Sequence, residues 1–467
     1  MTKAAETMGN NESAAGWTQA TLGDFVATRT RGIVPNKTPD TTFELYSVPS
    51  LDTGTPEIVT GGEIGSNKQI VDEGTVLLCK INPRINRAWV VSSHTAHQKI
   101  ASTEWITFPP NESFEPKYLA YYLKQDAVRD FLAVNASGVG GSLMRVKPTT
   151  LKDYPFPLAP LDQQIRIVAE IERQFSRLDE AVANLKRVKA NLKRYKAVVL
   201  KAAVEGRLVE TEAEIARREG RNYETGEQLL ERILETRRSK WKGKGKYKEP
   251  AVPDTTGLPE LPEGWVWALI GEAFDVYVGA TPSRANANYW NGGVPWVSSG
   301  EVAFCRIKTT RETISAKGLE NSSTNLHPVG TVLLGMIGEG KTRGQVAILD
   351  IKACNNQNSS AIRVSETDVL PEYVYSFLER EYEDTRRRGS GGNQPALNKE
   401  RVKQIPFPLP PVAEQQRIID EVERRLSIVG ETEAQIDANY LRAGRLRKSI
   451  LKTSFSGLVS GAIKHDV

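Results

Sequence analysis

Tyr154-Pro155-Phe156-Pro157-Leu158 recurs 251 residues later as Ile405-Pro406-Phe407-Pro408-Leu409. Each copy leads into a similar polar-apolar run, Gln163-Gln164-Ile165-Arg166-Ile167 in one case and Glu414-Gln415-Gln416-Arg417-Ile418 in the other. The register then holds through Ile171-Glu172-Arg173 against Val422-Glu423-Arg424, and Glu205-Gly206 against Ser456-Gly457. Upstream, Gly140-Gly141-Ser142 answers Gly391-Gly392-Asn393, and Pro116-Lys117-Tyr118-Leu119 answers Pro371-Glu372-Tyr373-Val374. Further out the spacing drifts, but Glu73 to Leu78 still answers Val329 to Leu334, and Gly16-Trp17 answers Gly264-Trp265. So many ordered matches identify a tandem duplication.

Each repeat reads as a globular part followed by a long helix. The globular parts are rich in Gly, Pro, Asn, Ser and Thr, and carry short apolar runs, Val76 to Ile81 and Thr331 to Ile337, that read as strands. Tyr118 to Leu132 and Glu372 to Arg387 carry apolar residues three and four apart and read as helices. A proline block precedes each long helix, where proline is tolerated, and Gly206 and Gly457 stand where each should stop. Between these limits Ile171, Phe175, Leu178, Val182, Leu185 and Leu192 form an a/d seam, as do Val422, Leu426, Val429, Ile436 and Ile450, with Tyr440 extending the second. Two matching stripes favour helices that pair with each other, the alternative being that each stripe packs on its own globular domain. The fold class expected is therefore α+β, a duplicated α/β domain with a paired helix after each copy.

The expected divisions are a disordered lead-in at 1–15, a first domain at 16–158, a helix at 159–210, a linker at 211–262, a second domain at 263–409 and a helix at 410–467. The linker carries an amphipathic stretch, Glu227 to Trp241, and a Gly-spaced basic run from Lys242 to Lys248 that reads as a solvated tether.

Composition narrows the function classes. With 39% hydrophobic and 25% charged residues the chain is of globular type, and no run of 18 apolar residues offers a membrane span. Met1 to Ala15 lacks the apolar core of a secretory signal. Three cysteines and four histidines fall without metal-ligand spacing, which predicts no metal and a reducing cytoplasm. His94 and His97, the one close pair, read as loop residues. A net charge of +5 permits nucleic-acid binding without requiring it.

No catalytic set emerges. The Pro-Pro pairs at Pro109-Pro110 and Pro410-Pro411 lack the leading Asn/Asp and trailing aromatic of adenine methyltransferases. Gly335 to Thr342 matches a phosphate-binding loop as a string, but that chemistry needs a helix directly after Thr342. Arg343 to Leu349 reads instead as a turn and a strand, so a hairpin displaying Lys341 and Arg343 is expected.

The duplicated Pro-Phe-Pro-Leu blocks, the Gln-rich helix starts, the endings Ala203 to Leu208 and Ser454 to Val459, and the opening Leu258 to Trp265 resemble the specificity subunits of type I restriction-modification systems. The resemblance spans about Gly16 to Gly461. It implies that the helices pair antiparallel and that each globular part is a target-recognition domain. It further implies a bipartite, asymmetric double-stranded DNA target. Two adenine methyltransferase subunits and restriction/translocase subunits would be the partners. S-adenosylmethionine, ATP and Mg would belong to those partners, leaving no cofactor and no catalytic residue here.

Major-groove chemistry, with Arg and Lys suited to guanine and Asn and Gln to adenine, selects the candidate readers. In the first domain these are Arg29, Arg31, Lys80, Asn82, Arg84, Asn86, Arg87, Ser142 and Arg145. In the second they are Arg284, Lys341, Arg343, Gln345, Asn356, Gln357, Asn393 and Gln394. Arg386-Arg387-Arg388 would contact phosphate or favour a helix end. The competing reading is a coiled-coil scaffold without DNA specificity, which predicts no salt-dependent DNA binding.

Overall fold

A computed structural model describes residues 16–138, 144–243, 245–338, 340–387 and 397–456. The expected lead-in at 1–15, Gly457 and the candidates Ser142, Asn393 and Gln394 lie outside the described residues. The chain divides into two compact units, Met1–Arg187 with Ile436–Val467, and Val188–Gln435.

In chain order the first repeat contributes strands β1 (Thr18–Thr21), β2 (Arg31–Ile33), β3 (Thr42–Tyr46), β4 (Glu57–Thr60), β5 (Lys68–Ile70), β6 (Val76–Cys79), β7 (Ala88–Val90), β8 (Gln98–Ser102) and β9 (Trp105–Phe108). Helices α1 (Pro116–Leu123) and α2 (Asp126–Val134), strand β10 (Pro155–Leu158) and the long helix α3 (Leu161–Val204) complete it. The expected single helix from Tyr118 is thus two, broken at Lys124-Gln125. The linker carries α4 (Glu212–Glu219) and α5 (Gly226–Ser239), one helix more than its sequence suggested. The second repeat adds β11 (Val266–Leu269), α6 (Ile270–Ala273), β12 (Val276–Val278), β13 (Trp290–Val297), β14 (Cys305–Ile307), β15 (Glu312–Ile314) and α7 (Ala316–Glu320). It ends with β16 (Val332–Gly335), β17 (Val346–Leu349), β18 (Cys354–Asn355), β19 (Ser359–Ile362), α8 (Pro371–Arg387), α9 (Lys399–Lys403), β20 (Pro406–Leu409) and α10 (Val412–Ser454).

The repeated motif acts as a latch. Pro-Phe-Pro-Leu forms β10, which pairs antiparallel with β1, and β20 pairs with β11 in the same way. Its phenylalanines, Phe156 and Phe407, are fully buried, while Tyr118 donates to the Pro157 carbonyl and Tyr373 to that of Pro408, both at 2.8 Å. The prolines cost no ladder bonds because each of these sheets has only two strands. Pro160 and Pro411 then start the long helices, their carbonyls accepting the first helical bonds from Gln163 and Gln164, and from Glu414 and Gln415. The glutamines explain the rest of the motif. Buried Gln164 accepts from the Glu115 amide and donates to the Ser113 and Ala159 carbonyls. Its equivalent Gln415 accepts from the Leu370 amide and donates to Pro410. One position earlier, Gln163 takes the Trp17 indole N–H and Glu414 takes that of Trp265. Helix start, two-stranded sheet and globular domain are thereby locked by the same contacts twice.

The long helices run for 44 and 43 residues, about 65 Å each. The apolar stripes are interrupted because Lys189 and Lys196 occupy seam positions of α3, and Arg447 one of α10. Lys196 is held by Glu379 at 2.7 Å, and the Arg447 guanidinium lies 4.5 Å over Phe175 while pairing with Asp179. Ile171, Val422, Val429 and Ile436 are buried; Phe175, Leu178, Val182, Leu185, Leu192, Leu426, Tyr440 and Ile450 are half-buried. In the first unit early α3, with Ile171 and Phe175, shares a core with Ile450 and Leu451 of late α10 and with Phe455 just beyond it. In the second, late α3, with Val199, Leu200 and Ala203, packs on Ile418, Ile419 and Val422 of early α10. The pairing is therefore antiparallel. Helix α3 stops at Gly206, whose φ of 64° is left-handed and whose α-carbon faces the Pro262 ring. A Cβ at this position would stand 2.3 Å from that ring, so no other residue fits.

Each globular domain holds one five-stranded and one three-stranded sheet. The orders are β2-β5-β8-β3-β4 and β7-β6-β9 in the first, and β12-β19-β16-β17-β14 and β15-β13-β18 in the second. None of the described helices is long and apolar enough to cross a membrane.

Candidate nucleic-acid interface

Both domains present the same device, a β-hairpin whose loop is charged although its first strand is fully buried. In the first domain β6 pairs with β7, and Cys79 N–H donates to the Arg87 carbonyl at the base of loop 80–87. The strand residues Val76 to Cys79 leave no side chain for solvent, so the polar residues gather at the turn. The loop is rigid. Pro83–Ile85 forms one 3-10 turn between Asn82 and Asn86, both left-handed with φ of 48°, a conformation asparagine tolerates better than most residues. Asn82 N–H donates to the Met144 carbonyl, Asn86 Nδ2 donates to that of Gln125 at 3.1 Å, and Ile81 bridges to Arg145.

This brings Lys80, Asn82, Arg84, Asn86, Arg87 and Arg145 together. Among the described residues Lys80, Arg84 and Arg87 make no ion pair, and Arg84 is exposed beside a cleft of about 790 Å³ that Lys124, Arg129 and Lys448 also border. The acids there are already engaged: Asp126 holds Arg129 and Lys448, and Glu172 holds Lys117. Arg145, in contrast, is gripped by both oxygens of Glu104 at 3.2 Å. Arg29 and Arg31 are not part of the loop. They lie exposed on and before the edge strand β2, with Arg31 paired to Asp72 at 2.6 Å.

In the second domain β16 and β17 form the matching hairpin, closed by Gly335 N–H to the Gln345 carbonyl and Gly344 N–H to that of Gly335. Residues 340–344 are a turn and β17 follows, so the chain after Thr342 has no helix with which to cradle phosphates. The loop displays exposed Lys341 and half-buried Arg343 and Gln345, braced from α8 by Tyr382 to the Lys341 carbonyl and Arg386 to that of Gly340. Arg386 thus supports the loop rather than standing free at a helix end.

Beside it, Met336 N–H donates to Asn358, and Thr281 bonds Gln357, which joins segments 281–284 and 355–358 to the hairpin. Asn356 is buried, its amide oxygen accepting from Asn358 N–H and the Ser359 hydroxyl; it shapes the turn and offers nothing to a base edge. Arg284 is stacked 3.7 Å over Trp290, with Glu312 accepting from both terminal nitrogens. That aromatic shelf escaped sequence reasoning, although Trp290 and Trp296, six apart on β13, share one face of the strand. Behind the surface His327 is held neutral: burial first, and the Arg363 charge second, push it down to about 4. His94 and His97 lie exposed, with Ser92 bonding the His94 ring.

Chemically, such loops fit a polyanion with base edges. Unpaired Lys and Arg supply counterion-releasing phosphate contacts, and pre-organised Arg, Asn and Gln supply hydrogen bonds.

Residues 262–438 match the family model of the type I restriction modification DNA specificity domain. The type I restriction enzyme EcoR124I/EcoR124II specificity subunit of Escherichia coli is 25% identical over 174 residues, 36% of this chain and 42% of that one. The MjaIX specificity subunit of Methanocaldococcus jannaschii is 29% identical over 168 residues, 35% and 38% of the two chains. The match thus spans about two fifths of the length of these two relatives; the EcoEI specificity subunit of Escherichia coli aligns over 72% of its length and 82% of this chain, at 20% identity. The crystal structure of the HsdS subunit from Thermoanaerobacter tengcongensis superimposes with a TM-score of 0.59 at 20% identity, over 96% of this chain and 99% of that one. A chain from a structure addressing complex assembly and conformational transition of the type I R-M system does so with a TM-score of 0.69 at 20% identity, over 95% and 98%. With a specificity domain matched at 262–438, and a latch, hairpin and helix each built twice, the chain is similar to the specificity subunits of type I restriction enzymes.

Proposed function

We propose that this chain reads a bipartite, asymmetric double-stranded DNA target, one half with each recognition domain, and carries no catalysis of its own. The observation that supports this is the pair of equivalent hairpins with unlike loops. Lys80 to Arg87 and Met336 to Gln345 share position and positive charge but differ in length and side chains, so two different half-sites follow. The long helices dock two adenine methyltransferase subunits, and restriction/translocase subunits complete the assembly. S-adenosylmethionine, ATP and Mg belong to those partners.

The test is a methylome. The chain is expressed with its cognate methyltransferase subunit in a methylation-free host, and modified adenines are mapped by single-molecule sequencing. The proposal expects one gapped motif modified in both halves and lost when this chain is omitted. An ungapped motif, or modification independent of this chain, overturns it.

A further inference from the structure

The two hairpin loops share a feature that charge does not explain. Ile85 is 51% exposed at the tip of the first, and Ile337 is 45% exposed in the second. A single exposed apolar residue is ordinary. Here the same residue type stands out of equivalent hairpins whose loop sequences otherwise differ. Each shares its loop with cations that make no ion pair among the described residues, Arg84 and Arg87 in one and Lys341 in the other. Neither side chain is a core residue displaced by chance. Ile85 is carried by the 3-10 turn clamped between left-handed Asn82 and Asn86, and Ile337 follows Met336, whose N–H and carbonyl are engaged by Asn358 and Leu397. Non-glycine residues such as these asparagines persist in the left-handed region only where the surroundings impose it. Both isoleucines therefore start from fixed positions.

We infer that Ile85 and Ile337 are specificity-determining residues that each pack on the 5-methyl group of a thymine in one half of the target. This rests on the DNA-reading function proposed above. An isoleucine has no hydrogen bond to give, so it cannot read a donor or acceptor. In the major groove the thymine methyl is the one apolar group on a base edge, and apolar side chains are its complement. The flanking cations hold the loop against phosphates while the rigid turn points the branched side chain at the base. One methyl group removed from water is worth about a fourfold change in affinity.

The experiment uses the complex of this chain with its methyltransferase subunits and a duplex carrying the mapped target. Each thymine in turn is replaced by deoxyuridine, which lacks only the 5-methyl group, and equilibrium binding is measured. The wild-type complex is expected to lose about fourfold at one thymine in each half. Ile85→Ala should weaken binding to the thymine duplex by a similar factor and become indifferent to uracil in the first half, while keeping the penalty in the second. Ile337→Ala should behave as the mirror image. The inference is overturned if no thymine shows a uracil penalty, if the penalties persist in both variants, or if the variants weaken all duplexes alike, as a non-specific wedge would. A wild-type complex without salt-dependent duplex binding would instead defeat the DNA-reading proposal itself, a distinguishable result.

Discussion

Replacing Gln164 should open the first latch. The side chain is fully buried and makes three bonds: Oε1 accepts from Glu115 N–H at 2.8 Å, and Nε2 donates to Ser113 at 2.9 Å and Ala159 at 2.7 Å. Glu115 in turn caps α1, its carboxylate accepting from Tyr118 N–H at 2.7 Å. Gln164→Met keeps the volume and removes all three bonds. One buried amide and two carbonyls are then stranded, each costing about 1–3 kcal/mol, with the carbonyls at the lower end; the sum is about 3–5 kcal/mol. Because the chain has two compact units, a single melting curve does not report this change. Hydrogen exchange read by mass spectrometry does. Amides of α1 and of the first turns of α3 should exchange about a hundredfold to a few thousandfold faster, while peptides of the second domain stay unchanged. Protection in α1 equal to wild type would refute the reasoning and reduce the glutamine to a space-filler.

Three further outcomes are expected. His327 lies neutral, with Nδ1 accepting from Arg363 Nε and Nε2 therefore donating to Asn355. Its folded value of about 4 lies below the unfolded value near 6.5, so stability is fully present above pH 6.5 and falls by up to about 3 kcal/mol as pH drops towards 4. Urea midpoints of the second unit should show that slope, and His327→Gln should flatten it. Gly206→Ala should destabilise the second unit by about 2 kcal/mol, from the left-handed backbone and the Pro262 ring; an unchanged midpoint in urea would contradict this. Arg84→Ala and Arg87→Ala should each lower the slope of log affinity against log salt by about one, whereas Arg145→Ala, already paired with Glu104, should change it less. Equal slopes for all three would remove the distinction between free and committed arginines.

What the sequence shows plainly is whatever repeats or has a period. Phe156 and Phe407, the glutamines after each proline block and the a/d stripes are visible because the same physical job is done twice, at one spacing. The seam is interrupted where Lys189, Lys196 and Arg447 keep helical register but not apolar character. Glu379 and Asp179 meet the last two of these charges from far along the chain. The candidate site is half legible. Residue type marks Lys80, Arg84, Arg87 and Lys341 correctly as loop cations, but pairing is a tertiary fact. Arg31 and Arg145 find their carboxylates 41 residues away and Arg284 finds Glu312 28 away, while Asn356 turns inward to close its own turn. Ile85 and Ile337 escape notice for a related reason. An apolar residue beside a strand reads as core until its exposure is seen.

The most direct test of a DNA reader is binding itself. The complex of this chain with the methyltransferase subunits proposed for it is titrated with a duplex containing the mapped target, and with one in which a single half-site is scrambled, over a range of salt concentrations. The account predicts a steep salt dependence for both duplexes and a markedly weaker affinity for the scrambled one, with the intact half still recognised. Equal affinity for the two, or binding indifferent to salt, would contradict it.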